Sequence, residues 1–137
     1  MARNASLERY KQLCGELKVE VRREALTGTA EQAESMAETM RAVAPEGETI
    51  KLKNSIRVEP GRKPGQVFIK AGGPTTTKPV RSGSGNATYD YAVGQEFGTH
   101  DQAAQPFFWP TYRLKKKRAR SAIKRRITKA IKNRSAE

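Results

Sequence analysis

The hydrophobic positions in the first third of the chain follow the period of an α-helix. Two sets recur at steps of three and four residues: Leu7, Tyr10, Cys14, Leu17 and Val21, then Ala33, Met36, Ala37, Met40 and Val43. This spacing predicts helix over residues 6–44, with Ser6 as the N-cap and Pro45 just beyond the end. Cys14 lies on the apolar face of this helix, so we expect it to be a small buried hydrophobe.

A glycine interrupts the helical pattern near its middle. Gly28 lies in the sequence TGT at 27–29, and glycine costs about 1 kcal/mol relative to alanine inside a helix. Two structures are consistent with this sequence. The helix either breaks at residue 28 or continues as one long helix that is stabilised by packing.

Two short segments further along alternate between apolar and charged residues, as strands do. They are LKNSIRVE at 52–59 and QVFIKA at 66–71, and PGRKPG at 60–65 separates them. Proline and glycine at both ends of that linker are typical of a turn. The pattern predicts a β-hairpin over residues 52–71.

The hydrophobic pattern is lost after the hairpin. Twelve of the seventeen residues at 72–88 are Gly, Pro, Ser or Thr, which predicts a flexible loop that orders only against another chain. The next segment, YDYAVGQEFG at 89–98, fits a strand with a bulge or one to two helical turns equally well.

A second amphipathic helix is predicted over residues 110–134. Pro110 suits its first turn, and its narrow apolar stripe consists of Ala119, Ile123, Ile127, Ala130 and Ile131. We therefore predict one α+β domain spanning 1–137, in which a long N-terminal helix and a basic C-terminal helix pack on a small antiparallel sheet.

Charge distinguishes the C-terminal helix from the rest of the chain. The net charge is +13, yet residues 1–50 carry seven Lys or Arg and nine Glu, whereas residues 113–134 carry twelve Lys or Arg and no acid. Because like charges repel, this helix favours an anionic neighbour, either DNA or an acidic protein surface, over a merely solvated face. The expected contact residues are Lys115, Lys116, Lys117, Arg118, Lys124, Arg125 and Lys129. No base-reading motif is present, so sequence-specific DNA binding is not expected.

The segment between the sheet and the basic helix is rich in aromatic residues. Residues 91–110 hold five of the nine Phe, Tyr and Trp side chains. Phe107, Phe108 and Trp109 lie between Pro106 and Pro110, and three adjacent aromatics cannot all face one core. We expect them to divide between core and interface, and the candidate assembly residues are Phe107, Phe108, Trp109 and Tyr112.

The rest of this segment predicts a core motif. It comprises Tyr91, Glu96, Phe97, Gly98 and Pro106, in which Phe97 is a buried anchor beside a glycine turn. Glu96 has no second acid at a spacing suited to catalysis. We expect its carboxylate to form an ion pair or to accept a hydrogen bond from loop backbone.

Several function classes find no support in the sequence. One cysteine excludes an intrachain disulfide, and the single His100 beside Asp101 is better explained as a surface-loop residue than as a metal ligand. We expect no cofactor and no enzymatic activity. The N-terminus lacks the apolar region of a signal peptide, and no apolar run has membrane-spanning length, so a soluble protein made in a cytoplasm, with no membrane partner, is expected.

The order of four motifs resembles one known family. MRAVAP at 40–45, LKNSIRV at 52–58, YAVGQEFGT at 91–99 and AQPFFWP at 104–110 are similar to motifs of the gene-product-ten-like family of tailed bacteriophages. Its members are considered tail components or head–tail joining (neck) proteins, and the resemblance spans roughly residues 10–131. EFGT followed by QPF is its specific part.

The resemblance implies a structural virion protein without catalytic residues. Such a subunit would form a homo-oligomeric ring, on the order of six or twelve copies, at the head–tail junction. Adjoining connector and tail proteins would be its partners, with non-specific contact to the phage genome DNA, and assembly would take place in the host cytoplasm. The alternative is a stand-alone, non-specific nucleic-acid-binding protein that uses the basic C-terminal helix.

Overall fold

The computed structural model describes residues 2–46, 50–80 and 85–136, with side chains from residue 4. Its elements are, in chain order, α1 (Ala2–Val43), α2 (Lys51–Ser55), β1 (Arg57–Pro60), β2 (Val67–Lys70), β3 (Thr77–Pro79), β4 (Thr88–Asp90), α3 (Tyr91–Phe97) and α4 (Trp109–Ser135). The long helices at both ends and the antiparallel strands between them confirm the predicted α+β class. None of the helices in the described part of the chain is long and apolar enough to cross a bilayer.

Helices α1 and α4 pack against each other as an antiparallel pair. The side chain of Lys115, near the start of α4, donates to Thr39, whereas Arg134 at the other end contacts Glu16. Gly28 is buried where the helices cross, and a Cβ atom there would lie 3.2 Å from Cδ of Arg126. The helix therefore continues through Gly28, because the absent side chain lets α4 approach closely.

The first turns of α1 differ from the sequence prediction. The helix begins at Ala2 rather than after Ser6, so Ser6 is not its N-cap. Cys14 is exposed, and the expectation that it is buried is wrong. The physical reason is length: α4 ends beside Glu16, so nothing covers the α1 surface that precedes it.

The β-hairpin is present, but it is shorter than predicted. β1 pairs antiparallel with β2, from Arg57 opposite Lys70 to Pro60 opposite Val67. Residues 52–55, predicted as strand, belong to α2 instead. Leu52, Ser55 and Ile56 are all buried, at a spacing of three and four residues that is typical of helix.

The segment predicted as a loop at 72–88 is only partly loop. β3 pairs antiparallel with β4, and Thr76 is fully buried. The Asp90 carboxylate organises the segment: it accepts hydrogen bonds from the Gly73 N–H at 2.9 Å and from the Thr76 hydroxyl at 2.7 Å. The segment thus orders in part against its own chain, which corrects the prediction. Residues 81–84 of the predicted loop lie outside the described residues.

The hydrophobic core lies at the end of the α1–α4 pair where α1 ends and α4 begins. Its buried side chains come from α1, α2, α3 and the start of α4, and they are Ala37, Met40, Ala44, Leu52, Ile56, Ala92 and Phe107. Val58 and Ile69 of the β-hairpin pack against this cluster. The core therefore fixes the N-terminal end of the basic helix.

Candidate functional site

The buried Glu96 carboxylate holds the start of the basic helix. Its Oε2 atom accepts hydrogen bonds from the N–H groups of Phe107 at 2.8 Å and Phe108 at 2.9 Å, and its Oε1 atom accepts one from Trp109 at 2.9 Å. The first turn of α4 has no acidic residue and no side-chain cap of its own. Glu96 thus supplies the negative charge and the acceptors that a helix N-terminus requires. Of the two roles expected for Glu96, an ion pair or a hydrogen bond with loop backbone, the structure shows the second, with the carboxylate as acceptor.

The residues at the two ends of α3 place Glu96 beside the start of α4. Asp90 is the N-cap of α3 and accepts a hydrogen bond from the Ala92 N–H. At the other end, Gly98 has a φ of +78°, and a Cβ atom there would lie 2.9 Å from the backbone nitrogen of Ala104. Only glycine tolerates this turn without strain, so Gly98 lets the chain fold back towards α3, where Gln105 donates to Gln95.

Phe97 is not the core anchor that the sequence predicted. Its side chain is 67% exposed, whereas Glu96 is only 8% exposed. Ala92 and Glu96, four residues apart, share the buried face of α3, so Phe97 and Val93 share the neighbouring exposed face. Of the other motif residues, Tyr91 and Gly98 are half-buried and Pro106 is exposed.

The aromatic cluster at the start of α4 divides between core and surface. Phe107 is 1% exposed and belongs to the core, Phe108 is half-buried, and Trp109 is 42% exposed. Adjacent rings meet edge to face, including Trp109 with the half-buried Tyr112 at 5.9 Å between centroids. Phe107 is buried in the core of its own chain, so its place among the assembly residues is wrong. The interface role of Phe108, Trp109 and Tyr112 stays a prediction.

Part of the anionic neighbour expected for α4 lies within the same chain. Arg126 donates to Glu24 at 2.6 Å and also to Glu31, while Arg134 contacts Glu16. The hydrogen bond from Arg126 lowers the pKa of Glu24. The expectation that the whole basic segment needs an external partner is therefore wrong for these two arginines. The recurrence of Glu at 16, 20, 24 and 31, which places acids on one side of α1, was the available sequence signal.

The seven predicted contact residues have no carboxylate partner among the described residues. Within the described part of the chain, none of them lies within 4.0 Å of a carboxylate; they are Lys115, Lys116, Lys117, Arg118, Lys124, Arg125 and Lys129. All but the half-buried Lys115 are exposed. Because consecutive residues of a helix lie about 100° apart, these seven side chains spread around the sides of α4 and do not share a single stripe. We call the seven residues together the basic face.

The C-terminal half of the basic face lines a shallow cavity of about 520 Å³. Lys124, Arg125, Lys129 and Lys132 surround it, and no acidic residue lines it. Ser121 and Thr128, which also line it, direct their hydroxyl groups to carbonyls of their own helix. The cavity therefore offers cations rather than a shaped polar site, which suits a phosphate backbone or a carboxylate-rich surface.

The described residues form no metal-binding cluster. Across residues 2–46, 50–80 and 85–136, no group of three His, Cys, Asp or Glu side chains is placed to hold a metal ion. The side chains of His100 and Asp101 contact each other at 2.7 Å and are almost fully exposed, as expected of surface-loop residues.

Comparison of the chain with protein-family models, curated proteins and solved structures found no match. The basic face and the aromatic surface at its N-terminal end are therefore the features from which a function can be inferred.

Proposed function

We propose that this protein is a structural subunit of a tailed-phage virion that forms a ring in the neck, at the head–tail junction. The order of the EFGT and QPF motifs, with its resemblance to neck proteins, supports this role. In each subunit the basic face would point towards an anionic partner, either the DNA that passes through the ring or an acidic surface of an adjoining connector or tail protein.

The observation that carries the proposal is a cationic surface on a helix whose position in the domain is fixed. The basic face runs from Lys115 to Lys129, about 20 Å along a helix, and lacks internal carboxylate partners within the described residues. Glu96 and the buried Phe107 hold the helix at its N-terminus, and Arg126 and Arg134 hold it along α1. In a ring, each copy would present the same face in the same direction, which makes a belt of positive charge.

Neutralising part of the basic face should weaken anion binding without unfolding the subunit. We expect the triple variant Lys124→Gln, Arg125→Gln, Lys129→Gln to bind a labelled DNA duplex at least tenfold more weakly. The slope of log affinity against log salt should fall by about 2–3, because each lost phosphate contact removes about 0.9. Thermal unfolding should change little, since exposed cations contribute little to stability.

The matched control is Lys51→Gln, Arg62→Gln, Lys63→Gln. It removes the same charge from residues that are also exposed and lie away from α4. The control should retain DNA affinity and should complement a phage that lacks this protein, whereas the basic-face variant should fail to join heads to tails. Equal behaviour of the two variants at every salt concentration would show that the face is merely solvated.

The second candidate function is a stand-alone protein that binds nucleic acid non-specifically. The basic face, whose cations have no carboxylate partner among the described residues, favours it, because such cations suffice for phosphate binding without a ring. Mass photometry and negative-stain imaging of the purified protein separate the two. Closed rings support the neck role, whereas a monomer that binds DNA with strong salt dependence supports the second function.

A further inference from the structure

The first turns of α1 extend beyond the end of α4. Arg134, close to the end of α4, contacts Glu16, and all residues from 4 to 16 are exposed. We call residues 4–16 the arm. A helix of this length is only marginally stable in water on its own, so the arm would gain stability from a partner that covers it.

The arm has the side chains of a helix that docks in a groove. Leu7, Tyr10 and Cys14 follow one another at steps of three and four residues, and Tyr10 is 66% exposed. Amphipathic helices use anchors at this spacing to bind apolar grooves. The charged residues of the arm, two acidic and two basic, balance, so an apolar partner suits it better than a polyanion.

An apolar cavity of about 500 Å³ lies at the opposite end of the molecule. Residues of β1, β2, α3 and the start of α4 line it, and the charged side chains among them are Arg57, Lys70 and Glu96. Val93, Phe97 and Trp109 leave large exposed apolar surfaces at its rim. Clustered exposed hydrophobic side chains of this kind mark interaction sites. Its volume is within the range of pockets that enclose ligands or side chains.

The placement of the two surfaces decides how copies can associate. The cavity lies beside the first residue of α4 and the arm extends past its last turn, so about 40 Å of helix separates them. Complementary surfaces at opposite ends produce head-to-tail contacts, which close into a ring when the rotation allows. Two arms packed against each other would instead join only two copies and would leave the cavity of each copy uncovered.

We propose that the arm of one copy docks into the cavity of the next copy, with Leu7, Tyr10 and Cys14 against Val93, Phe97 and Trp109. This inference rests on the proposed ring-forming role and identifies the contact that builds the ring. Each subunit uses both surfaces once, so a closed ring leaves neither surface exposed.

Disulfide cross-linking tests the contact directly, because Cys14 is the only cysteine of the chain. We expect mild oxidation of Val93→Cys to give a ladder of dimers, trimers and larger species on a non-reducing gel. The parent, the double variant Cys14→Ser, Val93→Cys, and the control Ser121→Cys on the outer face of α4 should give no ladder. Dimers of the parent would show that arms pair with each other. That result, or a Val93→Cys protein that stays monomeric, or a ladder in the Ser121→Cys control, would overturn the proposal.

A charge variant separates this inference from the neck function. Leu7→Asp, Tyr10→Asp places two carboxylates in the arm, far from the core and the basic face, and should abolish rings in negative stain while the subunit still binds DNA. Val19→Asp, an exposed apolar residue off the anchor positions, should leave rings intact. Rings that persist in the double variant would refute arm docking but leave the neck role standing. If the parent protein forms no rings and Val93→Cys gives no ladder, the ring-forming role fails with it.

Discussion

Replacing Phe107 with alanine should lower the free energy of unfolding by about 3–5 kcal/mol. Phe107 is 1% exposed and lies in the core cluster with Met40 and Ile56. Truncation would leave a cavity between the end of α1 and the start of α4, where the core is already small. Urea denaturation followed by circular dichroism at 222 nm measures the change.

Phe97→Ala is the control for this prediction. It removes the same side chain from the same aromatic-rich segment, yet Phe97 is 67% exposed, so we expect a cost below about 1 kcal/mol. Phe107→Leu leaves a smaller cavity, so its loss of unfolding free energy should lie between those of Phe97→Ala and Phe107→Ala. This variant still provides a measured unfolding free energy if Phe107→Ala does not fold. A Phe97→Ala variant that is as unstable as Phe107→Ala would contradict the assignment of Phe107 to the core and Phe97 to the surface.

The elements that the sequence predicted well are those with long or regular patterns. The basic helix was predicted at 110–134 and is found at Trp109–Ser135, because its apolar stripe and Pro110 are local signals. The same holds for the turn between β1 and β2. Gly28 left two alternatives open, and only the buried contact with α4, from residues almost a hundred positions away, decides for a continuous helix.

The errors fall where long-range contacts outweigh local pattern. Phe97 was predicted to be buried, but the burial of a residue in a two-turn helix depends on which face meets α4, and the Glu96 hydrogen bonds determine that face. The segment at 72–80 looked like a linker by composition, yet Asp90 binds Gly73 and Thr76 from more than a dozen residues away. Composition alone carries no information on such a partner.

The sequence predicts the individual cations of the candidate site, but it does not predict which of them pair with acids of α1. The seven cations of the basic face were named from charge alone, whereas the pairing of Arg126 and Arg134 with α1 was missed. Pairing depends on the register between α1 and α4, which the core and Gly28 set. The arm was missed for the same reason, since its exposure follows from where α4 ends.

Glu96→Ala should destabilise the protein by about 3–5 kcal/mol and should release the start of α4. Hydrogen bonds to charged groups contribute about 1.5–3 kcal/mol each. The total is smaller than three full bonds because one carboxylate accepts all of them and water replaces part of the loss. Trp109 is the only tryptophan and donates to Glu96, so its fluorescence reports directly on the release.

Glu96→Gln is a milder variant that should lose only some of these hydrogen bonds. Its amide oxygen can occupy the position of Oε2 and keep the bonds to Phe107 and Phe108, while its NH₂ group would face the Trp109 N–H, donor against donor. We therefore expect Glu96→Gln to cost about 1.5–3 kcal/mol, less than Glu96→Ala. Glu38→Ala, an exposed acid of α1 without an ion-pair partner among the described residues, should leave stability nearly unchanged.

The effects of Glu96→Ala on DNA binding and on assembly distinguish two roles of Glu96: capping the start of α4, or only contributing negative charge. Glu96→Ala makes the subunit more positive, so DNA binding by the isolated subunit should persist or rise slightly. Under the proposed neck role, ring assembly and head–tail joining should fall at a temperature where the variant is still folded. The reason is that α4 no longer leaves the domain at one fixed angle and the rim of the apolar cavity loses Trp109. The contrary result would be a Glu96→Ala variant whose Trp109 fluorescence shows a released helix start but which forms rings and infectious particles as well as the parent. Assembly would then not depend on the orientation that Glu96 gives to α4.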